Sequence, residues 1–404
     1  MKRRVVITGT GAITPLGVGA ATLLEAWSAG RCGIEDGLGR CADFKPAEFL
    51  GRKEMRRTDR FTQLAIAACD EALGEAGWGD EAPCRPEEVG CVIGTGIGGI
   101  TTIEHQIAVH KEQGPRSVSP LGVPMMMSNA APGVLAMRRG FRGPNFGVVS
   151  ACAAGAHAIG TAFRMIQAGD ARAVVTGGAE SALTDMTAAS FAAMGATSPT
   201  GVSRPFDARR DGFVLGEGSG ALVLEDAELA HDRGARVLGE LLGYAATADA
   251  FHLTAPEPEG AGAARAIKMA LADASVAPDA IAYVNAHGTS TPLNDRAETM
   301  ALKLALGPAA ARVPVSSTKS ATGHLLGASG AVEAVATVAA LRAGIAPPTL
   351  AYEEPDEGLD LDYVPGRPRP LAPAGTSGHA RLVAISNSFG FGGHNAVLVV
   401  GAAA

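Results

Sequence analysis

One thiol and two imidazoles, far apart along the chain, carry the chemistry this sequence offers. Cys152 stands in Val148-Val149-Ser150-Ala151-Cys152-Ala153-Ala154-Gly155-Ala156-His157, where an apolar strand-like run ends and a helix of small residues begins. The first turn of a helix has unpaired N–H groups and a partial positive charge. That field favours thiolate over thiol, so the position suits a nucleophile. Taken alone it also suits a small buried hydrophobe. His287 lies in Tyr283-Val284-Asn285-Ala286-His287-Gly288-Thr289-Ser290-Thr291-Pro292, a strand delivering onto a loop of Gly, Thr and Pro. Lys319 and His324 lie in Ser316-Ser317-Thr318-Lys319-Ser320-Ala321-Thr322-Gly323-His324-Leu325-Leu326-Gly327, just ahead of a buried helix. A lone loop histidine is commonly a surface or satisfied core residue. Two of them, each at a strand-to-loop exit beside glycines, form with the thiol a set fit for nucleophilic catalysis with electrostatic help. A fourth segment, Ile385-Ser386-Asn387-Ser388-Phe389-Gly390-Phe391-Gly392-Gly393-His394-Asn395, has the glycine density that lets backbone N–H groups approach a ligand. A plain turn between two C-terminal strands is its other reading.

The elements that must position these groups alternate between strand and helix, which favours an α/β architecture. Strands are expected over 4–8, 90–94, 146–150, 173–177 and 220–225, and helices over 62–76, 153–168, 262–274 and 331–343. The second half echoes the first. The run at 148–152 leads into an Ala/Gly-rich helix ending Gln167-Ala168-Gly169, and the run at 315–319 leads into another ending Arg342-Ala343-Gly344. Two buried strands, each followed by a buried small-residue helix, suggest duplicated halves packed face to face. Their boundary is placed near 227–236, giving a half 1–230 with the cysteine and a half 231–404 with both histidines.

Composition narrows the function classes. Apolar residues make up 47% of the 404 and aromatics only 4%, so the core must be built from Ala, Val, Leu and Gly. A net charge of −7 argues against nucleic acid as the partner. The N-terminus lacks the features of a signal peptide, and no apolar run reaches the ~20 residues that cross a bilayer. The expectation is a cytoplasmic protein with no membrane contact. The six cysteines form no C-x-x-C pair and no zinc-spaced cluster, so free thiols and no metal are expected. Gly94-Thr95-Gly96-Ile97-Gly98-Gly99 satisfies G-x-G-x-x-G but lacks the acidic residue about 20 positions on. Ser316-Ser317-Thr318-Lys319 satisfies S-x-x-K without the companion motifs of serine β-lactamases.

Together the four segments resemble the β-ketoacyl-acyl-carrier-protein synthases of the elongating type, synthase II and its relatives in polyketide and polyene pathways. The resemblance runs over 4–400. It implies a thiolase-like α/β fold, with two duplicated βαβαβαββ halves in an αβαβα five-layer arrangement. It implies a homodimer, or a heterodimer with a related ketosynthase or chain-length subunit. Cys152 would take an acyl chain from the phosphopantetheine arm of acyl carrier protein. Malonyl-carrier protein would lose CO₂, and the carbanion would attack the acyl thioester. No cofactor is implied.

By the same resemblance, neutral His287 and His324 donate Nε2–H bonds to the malonyl thioester oxygen as it gains charge. A buried pair of Lys319 and Glu298 helps orient His324. The backbone N–H groups of Cys152 and Phe391 form an oxyanion hole, and Phe391 acts as gate. Thr289 and Thr291 hold the pantetheine arm, while Ile97 and Phe389 line the substrate pocket. Lys53, Arg56 and Arg57, extended by Arg116, form a basic patch for the acidic carrier protein. Departures are Ala255 where Ser is usual, a short loop over 195–201, His394 in place of Thr, and Met125-Met126-Met127 in a region that lines the pocket and subunit contact. A thiolase would need a second cysteine near the C-terminus, and none follows Cys152. The initiating synthases pair Cys with one His and an Asn. A chain-length subunit usually lacks the nucleophile, which is present here.

Overall fold

Runs rich in Val, Ile, Ala and Gly form strands that are apolar on both faces. The computed structural model describes residues 2–79, 81–373 and 381–403. In the first half the principal strands are β1 (Val5–Thr14), β2 (Val89–Gly94), β3 (Asn145–Val148), β4 (Ala173–Glu180) and β5 (Gly218–Asp226). In the second the main-sheet strands are β6 (Gly239–Ala248), β7 (Tyr283–Asn285), β8 (Val315–Ser316), β9 (Val383–Gly390) and β10 (His394–Ala402). They hydrogen-bond in the order β3-β2-β4-β5-β1-β6-β10-β9-β7-β8. Read inward from each edge, the second half repeats the first strand for strand. β2 runs parallel to β3 and β4, as β7 does to β8 and β9. The remaining pairs are antiparallel, including the joint where Val5 faces Leu241. The duplication read from the sequence is therefore the duplication of the fold.

The helices complete five layers. Helix α1 (Arg60–Glu75) packs on β1, β4 and β5 from outside. Helices α2 (Ala154–Ala168) and α5 (Ser329–Ala343) lie between the halves, each touching strands of both. Helices α3 (Ala261–Ala274) and α4 (Pro292–Leu306) cover the far side. Because helices cover the sheet on both faces, β1, β2, β4 and β5 are buried throughout. The central helices stop at left-handed Gly169 (φ 89°) and Gly344 (φ 65°). They meet through small residues. A Cβ on Gly155 would sit 2.8 Å from Ala331 N, and one on Gly330 would sit 2.9 Å from Ala156 N. That reciprocal contact is what the Ala/Gly composition allows. The run Leu326–Ala343 is long and apolar enough to cross a membrane, but 83% of it is buried inside the protein.

One expectation is corrected. The strand before Cys152 is not buried. β3 lies at the sheet edge, with Phe146 39% and neighbouring Val149 56% exposed. It also ends at Val148 rather than at 150. The chain must turn at Ser150, and Ala151 takes φ 48°, a left-handed geometry costing about 1–3 kcal/mol in a residue with a Cβ.

Candidate active site

That turn is the first half of the site. A short 3-10 turn, Ala151–Ala153, opens α2 and carries Cys152 inward until its residue is 8% exposed. The second half comes from the loops after β7 and β8, which bring His287 and His324 to the same place. His324 Nε2 lies 3.0 Å from Cys152 Sγ, and the two imidazole centroids are 5.5 Å apart. Remote stretches of the chain thus converge on one sulfur.

The ring orientations are set from behind. Leu326 N–H donates to His324 Nδ1 at 3.2 Å, and Ser329 Oγ lies 2.9 Å from the same nitrogen. Because Nδ1 accepts from a backbone donor, the ring proton sits on Nε2, facing the sulfur. Lys319 Nζ donates to His287 Nδ1 at 3.2 Å, which likewise leaves the proton on Nε2. Burial, then the nearby Lys319 charge, holds both imidazoles well below their ordinary range. They are neutral donors.

Two expectations change here. The buried partner of Lys319 is Glu333 on α5, not Glu298, and the imidazole Lys319 holds is His287 rather than His324. Glu298 instead accepts the backbone N–H groups of His287 (2.8 Å) and Gly288 (2.7 Å), with Asn387 Nδ2 at 3.0 Å. It fixes the loop, not the ring. Burial pushes its carboxyl up to about 7 against those donors. The second change concerns the thiol. The helix start favours thiolate, but burial pushes the Cys152 thiol up to about 12. The Lys319 charge and the Phe391 N–H, which is aimed at the sulfur, offset part of this. Depth of burial outweighs the helix field.

A cavity of about 510 Å³ opens onto these groups. Ile97, Cys152, His287, His324, Phe389 and Phe391 line it, and so do Thr289 and Thr291. The two threonine hydroxyls are 2.8 Å apart, and Thr291 also caps α4. Thr254, Ala255 and Gly195 reach the wall, whereas Met125, Met126 and Met127 do not. The backbone of Met125 and Met126 packs behind Gly98 and Gly99. Lys53, Arg56, Arg57 and Arg116 are exposed and lie outside the cavity. Glu54 among them is paired with Arg138 at 2.7 Å. Among the described residues no group of three His, Cys, Asp or Glu side chains could hold a metal ion.

Sequence reasoning missed Glu333, Asn387, Ser329 and Glu180. Glu333 had a signal, being the sole acid in a largely apolar buried helix. Glu180, fully buried at the end of β4, had a similar one.

Comparisons with known proteins identify the family. Residues 38–230 match the family described as the N-terminal domain of beta-ketoacyl synthases, and residues 238–353 match its C-terminal domain. The chain is 49% identical over 417 residues to 3-oxoacyl-[acyl-carrier-protein] synthase 2 of Synechocystis sp., covering 98% of this chain and 97% of that one. It is 44% identical to the protein so named in Rhizobium meliloti, with 98% of both chains covered. Among solved structures, a beta-ketoacyl synthase from Burkholderia phymatum superposes with a TM-score of 0.90 at 34% identity, and the ishigamide ketosynthase/chain length factor with 0.90 at 33%. A type II PKS ketosynthase bound to its acyl-carrier protein and the hexaketide superposes with 0.89 at 30%. All three cover 100% of both chains.

Proposed function

Because the chain belongs to the beta-ketoacyl synthase family, we propose that it joins an acyl chain held on Cys152 to malonyl-carrier protein with loss of CO₂. One observation carries this reading: a sulfur and two neutral imidazoles, each with its proton on Nε2, share a single cavity.

In the first step Cys152 Sγ attacks the acyl thioester of the carrier. The carrier's sulfur leaves and takes up the thiol proton. Donors at the sulfur, Phe391 N–H and His324 Nε2–H, favour the developing thiolate that burial otherwise disfavours. In the second step malonyl-carrier protein binds. The two Nε2–H groups donate to its thioester oxygen while the bond to the carboxyl carbon breaks. CO₂ departs and the electron pair moves onto the enolate. Neutral rings serve because the reaction needs donors and creates its own carbanion. The enolate carbon attacks the acyl carbonyl, whose oxygen gains charge before the N–H groups of Cys152 and Phe391. Collapse expels the sulfur, which takes up a proton from solvent, and the β-ketoacyl product leaves on its carrier. Nothing in this balance calls for a redox or metal cofactor.

Thr289 and Thr291 stand where the pantetheine arm would enter, and Ile97 and Phe389 where the acyl chain would lie. The basic groups Lys53, Arg56, Arg57 and Arg116 suit steering of an acidic carrier protein. A second copy of this chain, or a related chain-length subunit, is proposed to cover the β3 edge. Val123, Met127, Met137, Phe146 and Val149 are 39–79% exposed there, and an uncovered apolar strand edge is a liability. The six free thiols suit the reducing cytoplasm, which is the proposed location. Fatty acid elongation and polyketide or polyene elongation share this chemistry. A panel of acyl-carrier proteins of different length and unsaturation separates them. The reaction itself is tested by digesting protein treated with acyl-carrier protein. An acyl mass increment on the Cys152 peptide supports it, and an increment elsewhere, or none, overturns it.

A further inference from the structure

The turn that presents Cys152 occurs twice. Ala151–Ala153 opens the 15-residue α2, and Leu326–Ala328 opens the 15-residue α5. The first residue of each turn, Ala151 or Leu326, has φ 48°. The middle residue is Cys152 in one and Gly327 in the other. The strands ending beside these turns correspond too, β4 finishing at Glu180 and β9 at Gly390. Gly390 backs onto the nucleophile turn, where a Cβ would lie 3.1 Å from Cys152 N. Its counterpart Glu180 reaches the other turn, and Oε2 accepts the Gly327 N–H at 3.1 Å. One half leaves room before the middle residue's N–H. The other fills that room with a carboxylate oxygen.

Glu180 also grips the cavity wall. Oε2 accepts Gly96 N–H at 2.6 Å, and Oε1 accepts the N–H groups of Ile97 and Gly98, each at 3.2 Å, and the Thr95 hydroxyl at 2.9 Å. All of these partners are donors, so the position is built for a carboxylate. Gly96 and Ile97 line the cavity. Leu326, one residue before Gly327, sets the tautomer of His324. We infer that Glu180 is a positioning residue that couples the acyl-pocket wall to the orientation of His324. This rests on the ketosynthase reading, in which Ile97 meets the acyl chain and His324 the malonyl oxygen.

Glu180→Gln tests it, because the amide NH₂ must face N–H donors. The expected result is a folded variant whose malonyl decarboxylation falls on the order of 10²-fold, with altered kcat/KM ratios across an acyl-chain panel. The ¹⁵N signals of the His324 ring should change from one Nε2–H tautomer to a mixture. Should that variant fail to fold, Thr95→Val removes one donor to Oε1 and is expected to move the same readouts less. Wild-type chain-length ratios with an unchanged His324 signal, in either folded variant, would confine Glu180 to folding and overturn the inference. A wild-type protein that never condenses would refute the ketosynthase reading instead, while the ring signals would still report whether Glu180 holds His324.

Discussion

Lys319→Met separates what the buried ion pair does for stability from what it does for the reaction. Lys319 Nζ serves two neighbours, Glu333 and, at 3.2 Å, His287 Nδ1. Both Lys319 and Glu333 are 1% exposed. Methionine keeps the length and removes the charge. Glu333 is then a buried carboxylate without its cation, which costs about 3–5 kcal/mol, a large share of the roughly 5–15 kcal/mol that holds a typical domain together. The charge-assisted bond to His287 is also lost, worth about 1.5–3 kcal/mol. If that bond is felt fully as charge builds on the malonyl oxygen, decarboxylation slows about ten- to a hundredfold. A second substitution, Glu333→Met in the same chain, removes the stranded carboxylate. Well-packed apolar replacement of a buried pair is often close to neutral, so urea unfolding should show stability largely restored. The rate of CO₂ release should stay low, because nothing holds His287 Nδ1. A double variant that regains both stability and rate would refute the positioning role assigned to Lys319.

Other outcomes follow from the same geometry. Burial pushes the Glu298 carboxyl up to about 7 while it holds the N–H groups of His287 and Gly288, so lowering the pH through 7 should protonate it and slow decarboxylation. The histidines, held well below 6.5, add no limb of their own there. A Glu298→Gln variant should be slower by about tenfold and lack that limb, and a pH profile unchanged by the substitution contradicts this. Gly390→Val places a side chain at the 3.1 Å contact with Cys152 N and should slow acyl-enzyme formation on the order of 10²-fold, read by quenched-flow mass spectrometry. Reversing Lys53, Arg56 and Arg57 to Glu should raise KM for carrier-protein substrates and flatten its salt dependence, while small pantetheine thioesters react as before.

How much was legible in the chain depends on what kind of information each feature needs. The central helices were readable to within two residues, since Gly169 and Gly344 mark their ends and the small-residue runs their interiors. The duplication was readable because both strand-turn-helix units keep the same composition. Whether β3 was buried was not readable, because an apolar edge looks alike whether its own chain or another covers it. The nucleophile and both imidazoles came together as expected, being long motifs at strand exits. The partner of Lys319 is not readable, because two acids are available and only packing chooses between them. Glu298 lies in α4 and faces the histidine loop backbone, whereas Glu333 sits one turn into α5, where Lys319 points. The protonation of Cys152 is hidden from the sequence for a similar reason. A helix start can be read from a sequence, but the depth at which it is buried cannot.

The division of labour between one sulfur and two rings is tested most directly by CO₂ release from malonyl-carrier protein in a Cys152→Gln variant. That variant should form no acyl-enzyme yet keep releasing CO₂, and adding His324→Ala or His287→Ala to it should suppress the release by about 10²-fold or more. Release that persists without either imidazole, or that vanishes with the sulfur alone, would contradict the assignment of decarboxylation to the paired Nε2–H donors.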